Sequence, residues 1–116
     1  MNSRSLYEIL VPCQFNNGKP VRTRHHKNWD AKVRSISGGL TILSPAKGQW
    51  IYKSKLFEER VIPVRIYCTE KQIKKIISFT LSHYKQIAVM CYVISDKVFL
   101  TEAKDEENSN IVSTNW

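Results

Sequence analysis

The sequence predicts a single α+β domain of the ferredoxin-like kind, β-α-β-β-α-β, with an antiparallel sheet and two helices on one face. Three observations predict it. Two stretches, 24–36 and 70–84, repeat apolar residues at three- and four-residue spacing, as amphipathic helices do. β-branched runs precede, separate and follow them. A glycine pair, Gly38-Gly39, closes the first helical stretch, and Pro45 to Gly48 breaks the chain again before the longest β run.

Taken in order, Leu6 to Cys13 reads as a first strand stopped by Pro12, with Tyr7, Ile9 and Val11 on one face. Asn16 to Pro20 is turn chemistry. Thr23 is the expected N-cap of the first helix, whose stripe is His26, Trp29, Val33 and Ile36. Leu40 to Leu43 is a short strand. Ser44 to Gly48 is expected to turn, and Trp50 to Lys53 to pair briefly or run as loop. In the long run Phe57 to Cys68, the residues Ile62, Val64, Ile66 and Cys68 face one way and Val61, Arg65 and Tyr67 the other. Pro63 lacks a backbone donor, which predicts an edge or a bulge there. Thr69 to Gln72 spells a capping box that opens the second helix. Ile87 to Ile94 is a strand apolar on both faces, and Lys97 to Leu100 a short return. Residues 1–103 form the domain; 104–116 form an acidic C-terminal tail.

A chain of 116 residues can bury a core without staples. No apolar run reaches the roughly 18 residues of a membrane span, and no signal-peptide pattern opens the chain, so a cytoplasmic protein without a membrane role is expected. Cys13, Cys68 and Cys91 are odd in number and lack metal-ligand spacing; they read as small buried hydrophobes, with no disulfide, metal or cofactor. The net charge is +8, and acids gather at the C-terminal end, so the body is more basic still. That favours an anionic small molecule, nucleic acid or an acidic protein as partner.

The candidate ligand-binding residues are Arg22, Arg24, His25, Lys27, Trp50 and Glu58. The four on and before the first helix belong to a cationic cluster able to meet phosphates. His25 and His26 are adjacent and point about 100° apart, so they do not share a metal; His83 is far away in sequence. Trp50 is expected to seal one end of the sheet, with Glu58 or Glu59 pairing with Arg60 or Arg65; the alternative is that the glutamate beside the indole has a raised pKa and serves as a general acid. No nucleophile accompanies them, so no catalytic residue is assigned.

The opening strand Leu6 to Pro12, Gly38-Gly39-Leu40-Thr41, Gly48-Gln49-Trp50, the acid at Glu58 or Glu59 and the helix from Glu70 to Tyr84 together resemble an uncharacterised family of small bacterial and phage domains. The resemblance spans nearly the whole body. It implies a ferredoxin-like fold and transfers no reaction.

Two readings of function come first: a non-enzymatic oligomeric module holding a nucleotide-like anion in clefts between subunits, as the fold does in PII-like signalling proteins by analogy alone, or a nucleic-acid-binding or nucleic-acid-cleaving accessory protein using the basic first helix. A protein–protein module with an acidic partner is the third. The doubly apolar strand 87–94 predicts a homo-oligomer, most simply a dimer, built on the open face of the sheet.

Overall fold

The computed structural model describes residues 3–103. The element order is β1 (Arg4–Pro12), α1 (Thr23–Ser37), β2 (Thr41–Ile42), β3 (Ala46–Tyr52), β4 (Lys55–Thr69), α2 (Glu70–His83) and β5 (Cys91–Ser95). All pairings are antiparallel, in the order β2-β4-β1-β5, with β3 on β4 as well. The expected ferredoxin-like plan is therefore present. The long strand β4 has two neighbours on one side: β3 along its first half and β2 along its second.

Alternation assigns the faces. Tyr7, Ile9 and Val11 of β1 and Val64, Ile66 and Cys68 of β4 are buried under the helices. They meet Trp29 and Val33 of α1 and Ile73 and Ile76 of α2. Trp29 donates to the Thr80 hydroxyl at 2.9 Å, and that hydroxyl donates onward to the Ile76 carbonyl at 2.6 Å, so both buried polar groups are satisfied.

α2 begins as expected: Thr69 and Gln72 exchange side-chain and backbone hydrogen bonds. The same Gln72 amide donates to the Ile36 carbonyl at the end of α1, so one residue caps its own helix and ties it to the other. α1 starts one residue earlier than expected. Arg22, not Thr23, occupies the cap position, and no side chain caps the helix. Gly38 closes it in the left-handed conformation (φ 92°), its N–H returning to Arg34 O.

Two further expectations change. Ala46–Tyr52 is a strand, and the chain reverses later, between Tyr52 and Lys55. The two linking residues, Lys53 and Ser54, both have positive φ (49° and 64°), as a type I′ hairpin turn demands. Neither is the Gly or Asn that normally advertises such a turn. Second, β5 covers only Cys91–Ser95; Ile87–Met90 and 97–100 are not strand. At Pro63, of the two outcomes expected, the local edge is the one found, with no bulge in the β1 register. Pro63 stands where the neighbour of β4 changes from β3 to β2, so no ladder donor is missed, and its carbonyl accepts from Leu43. The acidic tail lies outside the described residues.

Candidate functional site

The open side of the sheet carries a polar cluster. Glu8, on the central strand, is buried although no helix covers it. Arg65 Nε donates to its carboxylate at 3.0 Å from β4, and the Tyr92 hydroxyl donates to the other oxygen from β5. The Tyr92 and Arg65 hydrogen bonds outweigh burial and hold the Glu8 carboxyl below its ordinary value.

Beyond this cluster β3 and the first half of β4 continue as a two-stranded hairpin. Gly48 and Trp50 lie on one face with Glu59 and Phe57; Lys47, Gln49 and Ile51 lie on the other with Arg60, Glu58 and Leu56. Both faces are bare at the tip: Trp50 is 45% exposed and Ile51 73%. Trp50 stacks near Phe57, ring centroids 6.5 Å apart, and its indole lies over Gly48. It does not seal the core, and that expectation is corrected. The plug expected of it would require the helices to reach this part of the sheet, and they do not.

At the hairpin root an open groove of about 530 Å³ is lined by Gln14, Pro45, Ala46, Lys47 and the successive residues Glu58, Glu59 and Arg60. The loop after β1 forms its side, anchored by Cys13 N–H on Arg60 O and Val21 N–H on Cys13 O. Lys47 and Arg60 face each other directly across the two strands. Glu58 is 3.6 Å from Lys47 and accepts from Gln49. Arg60 has no carboxylate within salt-bridge distance among the described residues. Glu59 is half-buried, and burial pushes its carboxyl up; it has no hydrogen-bonded side-chain partner among the described residues.

The predicted residues fall into two groups. Arg22, Arg24 and Lys27 are exposed on and before α1, in the helix layer. Trp50 and Glu58 are on the hairpin, on opposite faces. His25 belongs to neither. Its Nε2 donates to the His83 carbonyl at 2.7 Å while His83 Nε2 donates to the His25 carbonyl at 2.8 Å, and the rings stack 3.8 Å apart. A carbonyl only accepts, so both rings carry hydrogen on Nε2. Sequence distance hid this pair, because the antiparallel packing of the helices brings the start of α1 to the end of α2. His26 is half-buried and bonds the fully buried Tyr84 hydroxyl at 2.7 Å. Burial lowers the His26 pKa and raises that of Tyr84. Of the groove residues, Gln14, Lys47 and Arg60 were not in the candidate set; Glu59 was named there as the alternative to Glu58, and among the described residues neither glutamate pairs with Arg60 or Arg65 as expected. The strand over 46–52 was their only signal, and the sequence disguised it as a turn.

The cysteines are free. Cys68 is buried, and burial pushes the Cys68 and Cys91 thiols up to about 11, away from thiolate chemistry. Cys13 and Cys91 are only partly buried, so the expectation of three buried cysteines holds fully for Cys68 alone. Among the described residues no three His, Cys, Asp or Glu side chains converge as metal ligands, and no helix is long and apolar enough to cross a membrane.

No protein-family model matches the chain, and no curated protein does. Solved structures do resemble it. CutA1 from Oryza sativa superposes with a TM-score of 0.64 at 9% identity, over 84% of this chain and 83% of that one. The divalent cation tolerance protein CutA1 from Thermus thermophilus gives 0.60 at 8% identity, over 91% and 90%. A phage SAM lyase in complex with S-methyl-5'-thioadenosine gives 0.62 at 11% identity, over 83% and 84%. At these identities the shared property is the fold, a ferredoxin-like α+β domain.

Proposed function

We infer that the protein is a non-enzymatic oligomeric module that takes a nucleotide-like anion into the groove at the hairpin root, with a second copy closing the groove. One observation carries the ligand class: Lys47 and Arg60 stand directly opposite each other on neighbouring strands, and Arg60 lacks a carboxylate partner among the described residues. Like charges in that position repel, and a bound phosphate converts the repulsion into two charge-assisted contacts. The groove is of ligand size. Glu59 and Gln14 supply polar groups for a ribose or base edge. The phage SAM lyase, whose structure holds S-methyl-5'-thioadenosine, supports the nucleoside class for this fold and says nothing of the reaction in this chain.

The second copy is argued from the hairpin. Two strands alone are marginal in water, and these expose Trp50, Ile51, Tyr52, Leu56 and Phe57. Covering them with the same surface of another copy removes the patch.

A thermal-shift panel of adenosine, AMP, ADP and S-methyl-5'-thioadenosine tests the ligand, because binding to the folded state raises the melting temperature. The phosphorylated compounds should stabilise the protein, and Lys47→Glu with Arg60→Glu should abolish the shift. No shift with any of the four at millimolar concentration refutes the nucleotide.

A further inference from the structure

We propose that the outward surface of the helix layer, on the side of the molecule away from the open sheet face, binds the phosphate backbone of duplex nucleic acid without reading its sequence. The two helices lie antiparallel and are fixed to one another at both ends, by Gln72 on the Ile36 carbonyl and by the reciprocal His25–His83 bonds. They present one plate. Their buried stripes turn Arg24, Lys27 and Arg34 of α1 outward, with Lys71 and Lys75 of α2 and Lys85 just beyond it. None of these six has a carboxylate within salt-bridge distance among the described residues. The only acids on the two helices are Asp30, which is half-buried, and Glu70, which pairs with Lys74. α1 even places Arg22 and Arg24 at its N-terminal end with no acid in the first turn. Cations there oppose the helix dipole, so the protein alone does not favour that arrangement.

The chemistry of the rest of the plate selects the partner. Every exposed large hydrophobic residue among those described lies off α1 and α2. A membrane-surface helix needs apolar side chains to insert, and a protein interface needs aromatic anchors; this surface has neither. Single-strand binding needs rings for bases to stack on, and those are missing too. What stands between the cations is Asn28, Ser35, Ser78 and Ser82, all exposed, short hydrogen-bonding groups of the kind that meet phosphate oxygens. Helices of 15 and 14 residues are about 20 Å long, the length of roughly six base pairs of duplex.

The test is fluorescence anisotropy of a labelled mixed-sequence duplex of about 20 base pairs with the full-length chain, from 50 to 200 mM salt. Binding should fall steeply with salt and be equal for a second, unrelated duplex. Lys27→Glu, Arg34→Glu and Lys75→Glu together should weaken it more than tenfold and flatten the logarithmic salt slope by about 3, near 1 per lost phosphate contact. The charge-matched control Lys53→Glu, Lys55→Glu and Lys97→Glu should bind as the parent does. Should the first triple variant fail to fold, the single changes to Gln should each flatten the slope by about 1. No binding at 50 mM salt overturns the proposal. So does equal loss in the control, or binding to vesicles of phosphatidylcholine with phosphatidylglycerol in the absence of duplex binding.

Discussion

The two halves of β4 differ in what surrounds them while obeying the same alternation. In the second half, Val64, Ile66 and Cys68 are buried beneath two helices, with β1 paired along this half and β2 paired at Val64 and Arg65. In the first half, Leu56 and Phe57 have a single partner strand and no helix above them. The difference teaches that apolar alternation marks faces intended for burial, while the covering layer decides which of them one chain can bury. Two tryptophans make the contrast sharp: Trp29 is 1% exposed in the core and Trp50 is 45% exposed on the hairpin.

The strongest test of the contrast is Trp29→Ala. It should cost about 3–5 kcal/mol, since it leaves a cavity and removes the hydrogen bond that the Thr80 hydroxyl accepts, and calorimetry should show the melting temperature falling by more than roughly 10 °C. A smaller loss would mean that the helix-covered half is looser than its burial indicates.

Glu8→Gln probes the open face behind that core and should cost about 1–3 kcal/mol at pH 7, because an amide cannot replace the carboxylate against Arg65 and Tyr92. The folded protein holds Glu8 below its ordinary value of 4.5. Its contribution is therefore complete above that pH and fades as the pH falls through the lower, folded value. Denaturant titrations should show parent and variant converging in acid; a constant gap down to pH 2 would remove the ion pair from the explanation.

Gln72→Ala removes half the capping box and the tie to Ile36, and should cost about 1–2 kcal/mol by chemical denaturation. An effect below about 0.5 kcal/mol would show that the histidine pair alone fixes the helices. Trp50→Ala should have the smallest effect within one chain, about 0.5 kcal/mol or less, and instead lower the mass seen by light scattering at micromolar concentration. Damage equal to that of Trp29→Ala would make the hairpin part of the core after all.

Much of the helix-covered half was legible in the sequence because its signals are local. The capping box at Thr69, the left-handed Gly38 and the parity of Ile62 to Cys68 each follow from a few neighbouring residues. The hairpin was not legible. Its turn uses Lys53 and Ser54 in a conformation that both residues adopt reluctantly, and its strand starts just after a proline and contains a glycine. The candidate groove was hidden for the same reason, since Lys47 meets Arg60 only once that turn is placed. The His25–His83 pair joins residues 58 apart, and no local pattern announces such a contact.

The position of β1 has a consequence for how the chain is made. Among the described strands it is made first, yet it lies between β4 and β5, the two made last. During synthesis the hairpin of β3 and β4 closes on its own sequence neighbours, while the residues of β1 wait with both edges unsatisfied. β4 completes one edge, and the other stays open until Cys91–Ser95 has emerged. The central strand therefore keeps an open edge until the rest of the described sheet has been made, and the short strand β5 is the one that covers it.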